Sequence, residues 1–409
     1  MRKIILSILC TILLNCSEEE KILPATGMWL FELQVMDNEI LPFNLKLERS
    51  ENGEYSGEIY NAEEVIAVDE IDIDGDSIYI KPPVFQGYLA GKITSDKILG
   101  EFIKEDLDRI VPFSAYHGIE KRFRKTKAPT SNVSGIWEVE FDIDSTDSYM
   151  SKGIFKQLGD KVVGTFRTTT GDYRYLDGVM SGDSLKVSAF DGAHAFVFVA
   201  KVSDSTMSGA FYSGNHSKEI FKAKRNESYE LPDAESLTFL NEGYEKFTFS
   251  FPDSEGNTLS LEDEKLKNKV VLVQIMGTWC PNCLDETKYY VDYLKKNPNK
   301  DLEIVALAFE YAKTEEGAFK SISRLKERIG VEYPILLAQW GTSDKDEAQK
   351  KLPMLNHVLS YPTTIYVDKD GKVRKIHTGF NGPATGEKHE EFKKEFNEFV
   401  GLLLKEEVK

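Results

Sequence analysis

The sequence predicts a multidomain protein in which tandem antiparallel all-β repeats precede an α/β domain with a mixed sheet. Three observations predict this order. From about Gly27 to Arg225, short alternating apolar and polar runs are cut by Gly and Asp turns, a pattern typical of antiparallel sheets. After Leu231, near-continuous apolar runs alternate with helical periodicities, as in central strands covered on both faces. The chain of 409 residues is also too long for one ordinary hydrophobic core.

Composition argues against nucleic acid as a partner. Hydrophobic residues make up 41% of the chain and charged residues 29%, the balance of a soluble globular protein. The formal net charge is -17. A protein that binds a phosphate backbone needs clustered Lys and Arg to release counterions, and the sequence has no such cluster.

Residues 1–15 are expected to be a lipoprotein signal peptide. Arg2-Lys3 precedes an apolar run that is too short to span a bilayer. The run ends in Leu13-Leu14-Asn15-Cys16, which resembles the lipobox of bacterial lipoproteins, although Gly, Ala or Ser is more usual than Asn before the cysteine. The resemblance implies that Cys16 is diacylated, that residues 16–26 are a tether, and that the protein is lipid-anchored in a bacterial cell envelope, facing the periplasm or on the outer-membrane surface. A plain signal peptide is the alternative.

Cysteine usage narrows the chemistry. Of four cysteines, Cys10 falls in the signal and Cys16 would carry the lipid, so Cys280 and Cys283 are the only thiols left in the mature protein. A structural disulfide framework is therefore excluded. Zinc would need two further ligands with compact spacing, and the six histidines are scattered along the chain. Neither a metal nor a cofactor is expected.

The all-β region is expected to contain a duplication of about 100 residues, because several landmarks recur at matching spacings. Gly27-Met28-Trp29 recurs as Gly135-Ile136-Trp137, and four further landmarks keep their distance from the Trp to within one residue. These four pairs are Gly57 with Gly164, Asp76-Ser77 with Asp183-Ser184, Ser95-Asp96 with Ser203-Asp204, and Gly100-Glu101-Phe102 with Gly209-Ala210-Phe211.

The two repeats are expected at 27–126 and 133–227, with the linker around Pro129. Each has enough strands for a small barrel or sandwich. A buried Trp is more often a core anchor than a ligand contact, so Trp29 and Trp137 are expected in the cores of the repeats.

The motif Cys280-Pro281-Asn282-Cys283 falls between a predicted strand, Val270 to Met276, and a predicted helix. At such a junction the sulfur of Cys280 lies at a helix N-terminus, where unpaired amides and the helix dipole favour the thiolate. The two-residue gap lets both sulfurs face each other across the first turn. Pro281 suits this turn because its missing N–H is not needed there. The pattern predicts a redox pair.

Residues from about Phe249 to the C-terminus resemble the TlpA/ResA-like thioredoxin-fold proteins, the membrane-tethered thiol-disulfide oxidoreductases of bacterial envelopes. The resemblance covers roughly 160 of the residues. It implies a thioredoxin-like fold for 231–409, a protein disulfide reductase that acts on protein dithiol and disulfide substrates, and a membrane electron donor as a further partner. The matching segments are Phe251 to Asn257, Leu259-Ser260-Leu261, Gly277 to Cys283, Glu286, and Tyr361-Pro362-Thr363-Thr364.

The resemblance also implies roles for individual residues. Cys280 would attack substrate disulfides, and Cys283 would resolve the mixed disulfide. Pro362, as the family's cis proline, would place the backbone of Tyr361 beside the sulfurs, where an extended substrate strand pairs with it. Glu286 would move a proton to or from a sulfur. The implied substrate contacts are Trp279, Tyr361 and Thr363.

Many thioredoxins carry a buried Asp six residues before the first cysteine, and Gln274 occupies that position here. Asp285 and Glu286 are then the nearest carboxylates in the strand-helix unit, and only Glu286 matches the position in the family. Glu286 is therefore the expected proton carrier.

Two other functions compete with this one. Peroxiredoxins are disfavoured because their reactive cysteine follows a Thr by three residues and a Pro by seven, whereas Thr278 is two residues before Cys280 and Val273 is seven before it. The other alternative is a surface ligand-binding lipoprotein in which the β repeats bind the ligand and the thioredoxin-like domain is accessory. The intact cysteine pair argues against a pure scaffold. Reduction is the direction that the resemblance implies.

Overall fold

The computed structural model describes residues 22–124 and 127–408. The expected signal peptide and the lipidation site Cys16 lie outside the described residues. Within those ranges, no helix combines the length and the apolar character needed to cross a membrane. The chain folds into a first β domain, a barrel and an α/β domain, in that order.

Nine antiparallel strands form the first β domain. They are β1 (Gly27–Gln34), β2 (Ile40–Arg49), β3 (Tyr55–Asn61), β4 (Glu64–Val68), β5 (Glu70–Asp74), β6 (Ser77–Lys81), β7 (Tyr88–Ile93), β8 (Lys97–Lys104) and β9 (Arg109–His117). Their order in the sheet is β4-β3-β2-β1-β9-β8-β7-β6-β5, so β4 and β5 are its two edges. Short 3-10 turns lie at Met36–Asn38 and Glu105–Leu107.

Eight antiparallel strands close on themselves to form the barrel. They are β10 (Gly135–Phe141), β11 (Tyr149–Leu158), β12 (Lys161–Arg167), β13 (Leu176–Ser181), β14 (Ser184–Phe190), β15 (Ala195–Val202), β16 (Thr206–Ser213) and β17 (Ser217–Arg225). Closure comes from the pairing of β10 with β17. Aromatic side chains fill the interior: Phe141, Phe166, Phe198 and Phe221 are completely buried and contact one another. The barrel is therefore a packed core.

The sequence predicts a barrel or sandwich for each expected repeat. The strands from Gly135 to Arg225 close into a barrel, whereas those from Gly27 to His117 form an open sheet. In the barrel, β12 pairs with β13. In the first β domain, β4 instead pairs along the free edge of β3, and the next strand, β5, pairs only with β6. The sheet stays open at this point because β4 occupies the edge that closure would need.

The two β domains share a hydrophobic core. Phe190, Val197 and Tyr212 belong to the barrel, yet they are buried in one cluster with side chains of the first β domain. The rings of Phe43 and Phe190 stack with centroids 4.1 Å apart. The core of the first β domain is therefore completed by the outside of the barrel. Trp29 and Trp137 are fully buried, which confirms that they are core residues.

The α/β domain has a mixed sheet, as predicted; the sheet has five strands, with helices around it. Its elements are β18 (Ser250–Pro252), β19 (Thr258–Ser260), β20 (Val270–Met276), α1 (Pro281–Lys296), β21 (Leu302–Phe309), α2 (Glu315–Ile329), β22 (Ile335–Gln339), α3 (Lys345–Lys351), β23 (Thr363–Val367), β24 (Val373–Thr378), a 3-10 turn (Pro383–Thr385) and α4 (Glu387–Lys405). The sheet order is β22-β21-β20-β23-β24, with β20 to β22 parallel and β23 and β24 antiparallel. Every residue of the central strand β20 is buried, because both of its faces are covered.

Candidate active site

Cys280 and Cys283 lie where β20 gives way to α1. Cys280 is the N-cap residue of α1, and its Sγ accepts a hydrogen bond of 3.3 Å from the backbone N–H of Cys283. Pro281 occupies the first turn of the helix, where no N–H is needed. Both cysteines are free thiols; Cys280 is 7% exposed, and Cys283 is completely buried. A sulfur at this position receives the favourable field of the helix N-terminus.

The loop before β23 brings backbone to the sulfur of Cys280. The Tyr361–Pro362 peptide bond is cis. The thiol of Cys280 donates a hydrogen bond of 3.3 Å to the carbonyl oxygen of Tyr361. The ring of Trp279 meets the ring of Tyr361 edge to face, with centroids 5.6 Å apart. Thr363 is buried, and its hydroxyl donates to the carbonyl of Ser360, so its side chain is bonded within the loop.

Glu286 is completely buried on α1, three residues after Cys283. Its carboxylate accepts hydrogen bonds from Gln274 (2.8 Å), Tyr290 (3.0 Å) and Thr364 (3.0 Å). Burial outweighs these bonds and raises the pKa of Glu286 to about 7. Burial also raises the pKa of the Cys283 thiol, and the neighbouring Cys280 sulfur and the Glu286 charge act in the same direction. The site therefore holds a carboxyl group that can exchange protons near neutral pH, beside a thiol that must lose one.

Comparison with known proteins identifies this part of the chain. A family model described as Redoxin matches residues 232–393. The C-terminal domain belongs to the redoxin family. Its central sheet, flanked by helices and carrying a cysteine pair at the start of α1, is a thioredoxin-like fold.

Several known proteins are similar in sequence to part of this chain. The thiol-disulfide oxidoreductase ResA of Bacillus subtilis (strain 168) is 27% identical over 140 residues, which are 34% of this chain and 69% of ResA. The thioredoxin-like protein YneN of the same organism is 29% identical over 140 residues, or 34% of this chain and 73% of YneN. ResA of Bacillus anthracis is 30% identical over 131 residues, or 32% of this chain and 66% of that protein. The chain is accordingly a thiol-disulfide oxidoreductase.

Solved structures also align with the redoxin domain. A thiol-disulfide oxidoreductase from Bacteroides fragilis NCTC 9343 is 21% identical, with 36% of this chain and 99% of that chain covered and a TM-score of 0.26. A thiol:disulfide interchange protein of the thioredoxin family from Chlorobium tepidum TLS is 19% identical, with 40% and 98% covered and a TM-score of 0.30.

A second buried carboxylate of the redoxin domain holds the loop before Cys280. Glu310 follows β21 and accepts two hydrogen bonds of 2.7 Å from Thr278, one from its N–H and one from its hydroxyl. Burial raises the pKa of Glu310 to about 7. Sequence reasoning missed this residue, although a signal exists: an acidic residue directly after a buried parallel strand lies at the edge of the sheet where active sites form.

The barrel also reaches the redoxin site, through the connection between β12 and β13. We call residues 168–175 the barrel loop. The Asn282 side-chain amide, between the two cysteines, donates a hydrogen bond of 3.3 Å to the carbonyl of Asp172. The Ser360 hydroxyl donates one of 3.0 Å to the carbonyl of Thr170. No signal in the sequence predicts these contacts, because they depend on how two domains dock.

An Arg at the end of the barrel loop joins all three domains. Arg174 is buried and contacts Asp285 of α1, Glu64 of β4 and, with its Nε at 3.6 Å, Asp191 after β14. In the sequence, Asp285 is notable only as a carboxylate next to Glu286. In the structure, it forms this interdomain ion pair with Arg174. No group of three or more His, Cys, Asp or Glu side chains within 22–124 and 127–408 is arranged to hold a metal ion.

Proposed function

We propose that this chain is a protein disulfide reductase that acts by thiol-disulfide exchange through Cys280 and Cys283. The observation that carries the proposal is the position of Cys280, at the start of α1 and in contact with the carbonyl of Tyr361. Its thiolate is the attacking group because the helix N-terminus stabilises it, whereas Cys283 is buried one turn further in.

The reaction has two exchange steps. In the first, the Cys280 thiolate attacks one sulfur of the substrate disulfide, the substrate S–S bond breaks, and the departing thiolate takes up a proton. In the second, Cys283 loses its proton and attacks Cys280, which releases the second substrate thiol and leaves an enzyme disulfide. Two electrons pass from the enzyme dithiol to the substrate. Glu286 accepts the proton of Cys283, since its pKa lies near neutrality and its charge acts on that thiol.

Substrate binding is assigned to the surface around the cis peptide bond. An extended substrate strand would pair with the backbone of Tyr361, which places its disulfide beside Cys280. The exposed part of the Trp279 ring would contact the same strand. Pro362 fixes the turn of this loop, and Thr363 supports it through the bond to Ser360.

We also propose that the protein is anchored in a bacterial cell envelope by lipid on Cys16 and receives electrons from a membrane donor. The support is the short apolar run before Cys16, which is too brief to cross a bilayer and ends in a lipobox-like triplet. Because Cys10 and Cys16 are removed or acylated in this scheme, the pair at Cys280 and Cys283 is free of competing thiols.

The two β domains are proposed to derive from one duplicated unit, with domains at 27–126 and 133–227. The indole N–H of Trp29 donates to the carbonyl of Ala25 at 2.9 Å, and that of Trp137 donates to the carbonyl of Val133 at 2.8 Å. In each domain the first strand pairs with both the second and the last strand. An Asp–Lys ion pair also recurs, Asp76 with Lys92 and Asp183 with Lys201.

A ligand-binding role for the β domains is the second candidate, favoured by a cavity of about 420 Å³ between them. Lys104, Arg109 and His216 line it, and none of the three forms a salt bridge within the described part of the chain. Burial, with the charge of Arg109 adding to it, lowers the pKa of Lys104 to about 8. Such a cavity suits an organic anion with a flat apolar part. Its aromatic lining residues are Phe102, Tyr173, Phe196 and Phe211.

Two assays separate these candidates. The full chain, kept reduced with dithiothreitol, should precipitate insulin faster than dithiothreitol alone, and Cys280→Ser should abolish the difference. A rate equal to that of dithiothreitol alone would refute the reductase proposal. For the second candidate, anilinonaphthalene sulfonate should bind the wild type more tightly than Lys104→Met; equal affinities would remove the support for an anion site.

A further inference from the structure

If Cys280 reduces disulfides as proposed, the surroundings of its sulfur determine which disulfides can reach it. We propose that the barrel loop and the turn between β8 and β9 are the two sides of a cleft around the sulfurs. This cleft admits small disulfides and disulfides on extended segments, and it excludes disulfides held on the broad surface of a folded protein.

The barrel loop lies against the residues next to both sulfurs. Asn282 stands between the cysteines, and its amide is bonded to the backbone of the loop at Asp172. Ser360 directly precedes Tyr361, the residue whose carbonyl contacts Cys280, and it is bonded to the loop at Thr170. The loop thus touches the cysteine motif and the cis-proline loop at once.

The fit between the loop and the cysteine motif leaves no spare room. Gly171 pairs with Phe380 in an isolated β-bridge. A Cβ at Gly171 would collide with the side-chain amide of Asn282 and would lie 2.8 Å from its Cγ. The Asn282 Oδ1 atom is buried without a hydrogen-bond partner in the described structure. The same Cβ would lie 3.1 Å from the backbone carbonyl of Phe380, and Gly171 has a φ of 148°, which an L side chain rarely adopts. A side chain at Gly171 would therefore strain the loop backbone as well as its contact with Asn282.

Buried charge holds the loop in this position. Arg174 at its end contacts Asp285 on α1, the helix that begins at the cysteine pair. The same guanidinium contacts Glu64 of the first β domain. The side chain of Arg174 is only 6% exposed, so these charge-assisted contacts are little screened by solvent.

The first β domain lies on the other side of the sulfurs. Lys313 donates to the carbonyl of Glu105 at 3.2 Å and forms a 2.7 Å ion pair with Asp108, both in the turn between β8 and β9. Two residues before Lys313, the ring of Tyr311 lies 5.5 Å from the ring of Trp279, next to Cys280. This turn therefore docks beside the tryptophan of the active site.

Sheet order places these two contacts on opposite sides. The sulfurs follow β20, the central strand. Tyr311 and Lys313 follow β21, its neighbour on one side, whereas Ser360 precedes β23 and Phe380 follows β24, both on the other side. A partner approaching Cys280 must therefore fit between two elements of the β domains. A narrow segment can do so, and a flat folded surface meets both elements before its disulfide reaches the sulfur.

The test compares one leaving group on two carriers. Glutathione is coupled through a mixed disulfide either to an unstructured peptide or to a surface cysteine of a rigid folded protein, and its release by the reduced full chain is measured. Wild type should release it from the peptide about tenfold faster or more. Gly171→Ala, which forces the barrel loop away from Asn282, should reduce this ratio several-fold by speeding release from the folded carrier.

Two further variants keep the comparison interpretable. Gly159→Ala is the control for a Gly-to-Ala change in the barrel, because Gly159 has a φ of 64°, against 148° at Gly171, and has no atom within 4 Å of the added Cβ. Its ratio should equal that of wild type. Asp108→Lys opens the opposite side by repelling Lys313 at an exposed position, so it tests the cleft even if Gly171→Ala does not fold. It should shift the ratio in the same direction.

The results that would contradict the cleft differ from those that would refute the reductase function. Equal release from both carriers by wild type, or equal acceleration of both by Gly171→Ala and Asp108→Lys, would overturn it. If wild type reduces neither carrier, the reductase proposal fails, and alkylation of Cys280 still tests the cleft. Iodoacetamide should then react at similar rates in all variants, whereas a polyethylene glycol maleimide should react faster with Gly171→Ala than with wild type. No such difference would refute the cleft.

Discussion

The side-chain amide of Gln274 donates a hydrogen bond of 2.8 Å to the carboxylate of Glu286, and neither residue is exposed to solvent. Burial raises the pKa of Glu286 from 4.5 to about 7. Well below pH 4.5 the group is protonated in both the folded and the unfolded chain. As pH rises towards 7, the unfolded chain releases its proton first, so the free energy of unfolding falls.

Glu286→Gln should therefore raise the free energy of unfolding at pH 8 relative to wild type, by up to about 3 kcal/mol, and change it little at pH 4. Urea unfolding followed by circular dichroism across this range measures the effect. The pKa of Glu310 is also raised to about 7, so Glu310 likewise lowers the free energy of unfolding as pH rises. The pH dependence of stability should therefore be weaker in Glu286→Gln than in wild type, but not abolished. Glu264→Gln, at an exposed position, is the control. A pH dependence unchanged in Glu286→Gln would contradict the assignment.

Arg174 should be a principal tie between the β domains and the redoxin domain. Arg174→Met removes the guanidinium that the buried carboxylates of Glu64, Asp191 and Asp285 share. Removing one partner of a buried ion pair costs about 3–5 kcal/mol, and the loss should appear as a lower and broader thermal transition in calorimetry. Lys313→Ala removes an ion pair at the surface and should change the transition little. A melting curve of Arg174→Met equal to that of wild type would show that the cluster does not hold the domains.

Much of the redoxin domain is predictable from sequence, because local patterns and the motif agree there. The strand from Val270 to Met276 is apolar except for Gln274, and it becomes a strand buried on both faces. The cysteine motif follows it at a helix start. The residues that hold the barrel loop against the site are not predictable from sequence. Arg174 contacts Glu64 and Asp285 only because three domains pack together, and the residues around Arg174 in the sequence do not indicate these contacts.

The first β domain differs from the barrel at one point of its sheet order. Matching landmarks predict equivalent folds for the two repeats, and most strands correspond. The segment Glu64–Val68 nevertheless pairs with β3 as a strand, whereas the barrel has a long loop between β12 and β13 that docks on the redoxin domain. Strand and loop differ here because one segment completes a sheet edge and the other contacts Asn282 and Ser360. Such tertiary contacts override local pattern.

Fragments test how far the domains fold independently. A fragment of residues 27–225 should fold without the redoxin domain, whereas residues 27–118 alone should not, because their core includes Phe190, Val197 and Tyr212 of the barrel. Circular dichroism and cooperative melting of each fragment measure this. The fragment 231–409 should reduce insulin alone. Cooperative folding of 27–118 by itself would show that the shared core is dispensable.

Membrane attachment should depend on Cys16. The full-length protein made in a bacterial host should partition into the detergent phase of a Triton X-114 extract, and Cys16→Ala should move it to the aqueous phase or stop its processing. Cys10→Ala is the matched control and should leave partitioning unchanged, since that cysteine lies within the expected signal. Mass spectrometry that finds a mature N-terminus at another residue, without acyl chains, would refute the anchor.

Removal of the resolving cysteine should trap substrates. Thiol-disulfide exchange passes through a mixed disulfide, which the second cysteine normally breaks before it accumulates. Cys283→Ser should therefore give high-mass adducts that dithiothreitol releases, detected on non-reducing gels of envelope extracts, and Cys280→Ser should give none. Glu286→Gln should keep the fold but slow turnover, because the proton of Cys283 then lacks its acceptor.

Alkylation gives an independent check on which sulfur attacks. Burial and the neighbouring sulfur raise the pKa of Cys283, so at pH 7 iodoacetamide should modify Cys280 first, as peptide mass spectrometry of briefly treated protein would show. The same order should appear in Glu286→Gln, since the helix N-terminus beside Cys280 is unchanged by that substitution. If Cys280→Ser formed the adducts, or if both sulfurs reacted at one rate, Cys283 would have to be the attacking group, and the position of Cys280 at the start of α1 would not explain the chemistry.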